Sequence, residues 1–212
     1  MILYGSSLSP YVRKTAAFVR EKGIELETRP TGLGETDPEF VEASPFRKIP
    51  AFRDDDFAIC DSTAIITYLE AKFPEPAMIP AEPKSRARTI WYEEFADTIL
   101  IASMGKIFFN RIVSPRFLGR PGDEAAAAAA ERTELPPILE YLEKVIPASG
   151  FLVDDRLTLA DLAVASPFVN LAHSGVSLDP KRLPRTIGYL GNILARPSFA
   201  PLIAAETAFL GA

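Results

Sequence analysis

Ser9 followed by Pro10 marks a helix start twice over. The hydroxyl can cap a backbone N–H, and proline at the first helical position forfeits no hydrogen bond. The helix it opens carries Ala16, Ala17, Phe18 and Val19 and is expected to end at Gly23. Its first turn holds N–H groups and the positive end of a dipole beside a hydroxyl, a combination suited to an anion. A lone Ser-Pro is more often a plain cap, so the anion reading depends on the rest of the chain. Asp61-Ser62 opens a second helix with Ile65, Ile66, Leu69 and Phe73 on one face. Between the two lies Lys48-Ile49-Pro50, where a proline stands in what otherwise reads as a strand from Phe46 to Phe52. Proline cannot donate to a ladder and is unexpected there.

Other chemistries fail on counting. One histidine, His173, and one cysteine, Cys60, are too few for a zinc site of the usual kind, and no metal is expected. Gly5-Ser6-Ser7-Leu8-Ser9 misses the last glycine of a hydrolase nucleophile elbow. Gly32-Leu33-Gly34-Glu35-Thr36-Asp37 lacks the third glycine of a dinucleotide fingerprint. A net charge of −5 argues against a nucleic-acid partner, whose phosphates need clustered Lys and Arg. No apolar run approaches the roughly 20 residues of a membrane span, and no secretory leader is visible. With a single cysteine, the expected compartment is the cytoplasm.

The elements that must position these residues follow from pattern. Met1 to Tyr4 reads as a short buried strand, and Ile24 to Thr28 alternates like a second, giving β-α-β. Pro30 to Asp37 is a loop and Pro38 to Ala43 a short helix closed by Ser44-Pro45. After an acidic turn over Arg53 to Asp56, Phe57 to Cys60 forms a strand that leads into the Asp61 helix. Four prolines between residues 74 and 83 stiffen what reads as a linker. This divides the 212 residues into an α/β domain at 1–76, a linker at 77–84 and an all-helical domain at 85–212. In the second domain a helical stretch covers Ser85 to Ile112, and another runs from Asp123 through the alanine run to Val145, bent by Pro136 and Pro137. Thr158 and Asp161 form a capping box, and one or two helices fill Pro184 to Leu210.

Five motifs in this order resemble the cytosolic glutathione transferases: Ser9-Pro10-Tyr11-x-x-Lys14, Lys48-Ile49-Pro50, Asp61-Ser62-x-Ala64-Ile65-x-x-Tyr68-Leu69, Leu157-Thr158-Leu159-Ala160-Asp161-Leu162-Ala163 and Arg196-Pro197-Ser198-Phe199. The resemblance covers essentially the whole chain. It implies a thioredoxin-like N-terminal domain that binds glutathione as co-substrate, a helical domain that contributes the electrophile pocket, and a homodimer. It also implies a cis Pro50, which leaves the Ile49 N–H and C=O to pair like a strand with the cysteinyl part of glutathione. Ser62 would take the γ-glutamyl carboxylate, Asp61 the ammonium, and Lys48 a peptide carboxylate.

Ser9 then acquires a role as donor to the glutathione thiolate. A free thiol with pKa about 8.5 is only about 3% ionised at neutral pH, and lowering it by two units takes roughly 2.7 kcal/mol of preference for the anion. One hydrogen bond to a charged group supplies about 1.5–3 kcal/mol and a helix end about 0.3–1 more. Ser-Pro before an aromatic resembles the serine-type tau class, and it puts serine where omega-class relatives carry cysteine, which disfavours mixed-disulfide chemistry. Ser7 is the fallback for the thiol contact, and Tyr4 lies near the tyrosine of other classes but reads as packing. Leu8, Tyr11, Met104, Phe108, Arg111 and Phe209 are candidates for the pocket of a small, hydrophobic electrophile. Conjugation in detoxification is the expected activity. A non-catalytic module of the same fold, or a glutathione-dependent isomerase or dehalogenase, is the alternative. One departure bears on geometry: Arg47 stands where the family has a glycine before the Lys-Ile-Pro.

Overall fold

A computed structural model describes residues 1–32 and 34–211. Leu33, within the loop expected from Pro30 to Asp37, and Ala212 lie outside the described residues. Among the described residues four strands form one mixed sheet in the order β2-β1-β3-β4, from β1 (Ile2–Tyr4), β2 (Glu27–Arg29), β3 (Ala51–Asp54) and β4 (Phe57–Cys60). β1 runs parallel to β2 and antiparallel to β3, as a β-α-β unit followed by a hairpin requires. Side chains alternate across the sheet. Tyr4 and Ala51 pack with Phe40 and Ala43 of α2 (Pro38–Ala43) on one face. The other face carries Phe52, whose ring lies 5.8 Å from that of Tyr68 on α3 (Ser62–Lys72). α3 in turn packs beside α1 (Pro10–Glu21).

Two expectations shift here. The second strand is Glu27–Arg29 and not Ile24 to Thr28, because its ladder is set by pairing with β1, Ile2 opposite Glu27 and Tyr4 opposite Arg29. Ile24 instead closes α1, donating its N–H to the Val19 carbonyl at 3.0 Å. Phe46 to Pro50 is a loop, and strand β3 starts only at Ala51. The buried Ser44 hydroxyl takes both polar groups of Lys48, accepting from its N–H and donating to its C=O at 2.8 Å each, so neither joins a ladder.

Contacts divide the chain into two compact units, Met1–Met78 with Pro197–Ala212, and Ile79–Arg196. The last helix, α11 (Ala200–Gly211), thus groups with the sheet, although the sequence placed it with the helical domain. Within the first unit Lys22 is buried at the end of α1, donating to Glu70 at 2.6 Å and to the Pro76 carbonyl at 2.8 Å. Glu70 also accepts the Met78 N–H at 2.9 Å, which fixes the end of the proline-rich segment.

The second unit is helical among its described residues. Helix runs from Pro83 to Phe117 through α4 (Pro83–Glu94), α5 (Ile101–Phe108) and α6 (Ser114–Phe117), with wide π turns at Phe95–Leu100 and Phe109–Val113. A third π turn, Ala130–Glu134, separates α7 (Glu124–Ala129) from α8 (Leu135–Val145). One residue, Leu135, separates it from Pro136 and Pro137, whose imide nitrogens donate nothing and whose rings crowd the carbonyls one turn back. α9 (Leu159–His173) is buried over Leu159 to Leu171 and is contacted by α4, α5 and α10 (Pro184–Leu194). It starts at the capping box: Asp161 accepts the Thr158 and Leu152 N–H groups at 2.9 Å each.

Candidate glutathione site

Ser9 caps α1 from the β region, φ −74° and ψ 126°. Its hydroxyl accepts the Val12 N–H at 3.5 Å, a long bond, while its carbonyl takes the Arg13 N–H at 2.9 Å. An oxygen that serves the helix as acceptor keeps its own proton for another partner. Ser6 closes the turn behind it, its carbonyl accepting the Ser9 N–H at 3.0 Å. Ser6 and Ser7 also line a cavity of about 500 Å³ with Leu3, Val12, Arg20 and Leu202.

The Ile49–Pro50 bond is cis, as the resemblance implied; Glu75–Pro76 is cis as well, which no sequence signal announced. Pro50 is buried and its carbonyl accepts the Asp61 N–H at 3.3 Å. Ile49 lies outside the ladder with β1, which ends at Tyr4 opposite Ala51. Gly5 draws these pieces together. At φ +137°, a Cβ there would sit 2.6 Å from Val12 Cγ2 and 3.2 Å from Ile49 Cβ. Only glycine allows the loop before Ser9 to lie this close to both α1 and Ile49.

Asp61 caps α3: its Oδ1 accepts the Thr63 and Ala64 N–H groups at 2.9 and 3.1 Å. Its φ of 84° is sparsely populated for a residue with a side chain, and such backbone is held only where the surroundings demand it. Ser62, the first residue of α3, is 2% exposed. The Thr63 and Ala64 N–H groups at the start of α3 are thus taken by Asp61.

Lys48 is exposed on the Ser44-stapled loop. Arg47, in the usual glycine position, adopts φ 54°, so the loop keeps a left-handed residue without the glycine. Tyr4 is 1% exposed, its ring 6.0 Å from Phe40 and its hydroxyl 3.4 Å from Glu39. Burial pushes its pKa up, so it is a packed neutral phenol. Leu8 and Tyr11 flank Ser9 and are half-buried. In the second unit Met104 and Phe108 are buried, and Arg111 is held by Glu124 and Glu131 at 2.7 Å each. Phe209 is exposed on α11. Sequence reasoning missed Gly5, whose signal was a glycine directly after a strand and before the capped helix.

A thioredoxin-like sheet unit followed by helices, with two helix N-termini and a cis-proline segment linked through Gly5 and Asp61, defines the glutathione transferase fold. The family model for the glutathione S-transferase N-terminal domain matches residues 3–77, and that for the C-terminal domain residues 100–197. A glutathione S-transferase of Hyoscyamus muticus is 30% identical over 210 residues, covering 96% of this chain and 97% of the relative. A stringent starvation protein A homolog of Coxiella burnetii is 25% identical over 201 residues, covering 94% and 89%. The solved structure of human glutathione S-transferase T1-1 in its apo form superposes with a TM-score of 0.84 at 26% identity, covering 99% of this chain and 88% of that one. The chain belongs to the glutathione S-transferase family.

Proposed function

We propose that the chain conjugates glutathione to a small, hydrophobic electrophile, with Ser9 as the donor that favours the thiolate. The observation that carries this reading is the capped, proline-started N-terminus of α1 beside the Ile49-Pro50 segment, brought together at Gly5. Ile49 would pair its backbone with the cysteinyl part of glutathione, which places the sulfur toward the α1 N-terminus. The second oxygen of Asp61, beyond the one capping α3, would take the γ-glutamyl ammonium, and the Ser62 hydroxyl the carboxylate. Lys48 would face the glycyl carboxylate. The thiol proton leaves to solvent, the Ser9 O–H donates to the resulting anion, and the sulfur lone pair attacks an electrophilic carbon, either expelling a leaving group as its anion or adding to a polarised double bond whose displaced electron pair takes a proton from water. Nothing in this scheme uses a metal. A cytoplasmic homodimer is part of the same proposal.

The test is the ultraviolet absorbance of glutathione thiolate titrated with pH on the purified protein, wild type beside Ser9→Ala. The expected result is a bound thiol ionising one or more pH units below free glutathione in wild type and not in the variant. A shift that survives Ser9→Ala moves the role to Ser7. No shift in either protein overturns conjugation. It would favour the second reading, a binding or assembly module of the same fold.

A further inference from the structure

Arg13 and Glu206, 193 residues apart, form a forked ion pair between α1 and α11, with side chains 0% and 1% exposed. Arg13 Nε lies 3.0 and 3.2 Å from Glu206 Oε1 and Oε2, and Nη2 lies 2.7 Å from Oε2. Burial pulls the Arg13 pKa down, and the Glu206 carboxylate opposes it. A pair this deep adds little net stability, because the cost of stripping water from both ions offsets their attraction. What the planar fork does supply is geometry: two groups that fit in one arrangement only.

That geometry bears on Ser9. Arg13 lies one helical turn after it and donates its backbone N–H to the Ser9 carbonyl at 2.9 Å. In the same turn Pro10 brings no N–H, and the Ser9 hydroxyl bond to Val12 is 3.5 Å long. The far end of α1 is tied to the same C-terminal segment. Arg20 donates to the Ser198 carbonyl at 3.2 Å, and the Ser198 hydroxyl donates to Glu21 at 2.6 Å. Residues 198–206 therefore hold α1 at both ends.

We propose that Arg13 and Glu206 are positioning residues for thiol activation, a latch by which α11 sets the direction of the first turn of α1 and so of the Ser9 hydroxyl. This rests on the reading of Ser9 as thiolate donor. A misplacement of about 1 Å in such a donor can cost up to about 100-fold in rate.

The experiment compares wild type, Ser9→Ala and the double variant Arg13→Met/Glu206→Met, which removes both charges and leaves no buried ion unpaired. Each is read for thermal midpoint, glutathione affinity by calorimetry and bound-thiol pKa by thiolate absorbance. The double variant is expected to fold and to bind glutathione within about threefold of wild type, but with the thiol pKa raised by about one unit, a tenfold loss of thiolate at neutral pH. A folded, glutathione-binding double variant with the wild-type thiol pKa overturns the latch, since a merely structural pair would leave ionisation unmoved. If the double variant does not fold, Glu206→Asp, which shortens the reach of the carboxylate, is read in the same way. Failure of the underlying reading shows separately, as an unlowered thiol in wild type or a lowered one in Ser9→Ala, and it removes the latch with it.

Discussion

A carboxylate at the start of a helix serves two masters at Asp61, and a single substitution separates them. Its Oδ1 caps α3 through two N–H groups, and its charge is proposed to meet an ammonium. Asparagine caps as well as aspartate does but carries no charge. Asp61→Asn is therefore expected to leave unfolding within about 0.5 kcal/mol while weakening glutathione binding roughly tenfold, the loss of one charge-assisted bond. Calorimetric titration beside a denaturation curve checks both halves. Gly5 and Arg47 are the complementary backbone cases. Gly5→Ala puts a methyl 2.6 Å from Val12 Cγ2 at a positive φ, with an expected loss of about 1–3 kcal/mol and of glutathione affinity with it. Arg47→Gly relieves a left-handed side-chain residue at φ 54° and should gain about 0.5–1 kcal/mol, a rise of roughly 1–4 °C in thermal midpoint by calorimetry.

Among elements, the loop from Ser44 to Pro50 shows how a side chain replaces secondary structure. Residues of strand type stand at Phe46 and Ile49, yet the Ser44 hydroxyl captures both polar groups of Lys48 at 2.8 Å. Ser44→Ala leaves those groups without this partner beside a buried position. The expected cost is about 1–3 kcal/mol, measured by urea denaturation. Weaker retention on immobilised glutathione should follow, because Ile49 hangs from this loop.

For the whole molecule, pH acts through Asp161. Burial pushes its carboxyl up to about 6 from the usual 3.8, against the donors of Leu152 and Thr158. Between about pH 4 and 6 the native state thus holds a proton that the unfolded chain has lost, so this group's contribution to stability falls as pH rises through that window. The amount is on the order of 3 kcal/mol. Asp161→Asn does not titrate. The stability of wild type relative to this variant should therefore decline from pH 4 to pH 6 and be flat above it, as read from denaturant midpoints across the range.

Much of this was legible in order and type. Ser9-Pro10, Asp61-Ser62 and the Thr158–Asp161 box are local devices: each cap is closed by N–H groups within three residues, so the residues themselves determine it. The start of α1 and the bounds of α2 and β4 lie where local pattern puts them, while α1 ends at Glu21, two residues short of Gly23. What the chain could not announce were the pairings that span it. The second strand slid to Glu27–Arg29 because its register belongs to β1, and the C-terminal segment joined the sheet unit through Glu206 on α11 and Ser198 before it, 193 and 177 residues from their partners on α1. Periodicity describes one face of one element. Which other element that face meets is decided only when the chain has closed on itself, since burial and a forked ion pair are properties of two surfaces and not of one.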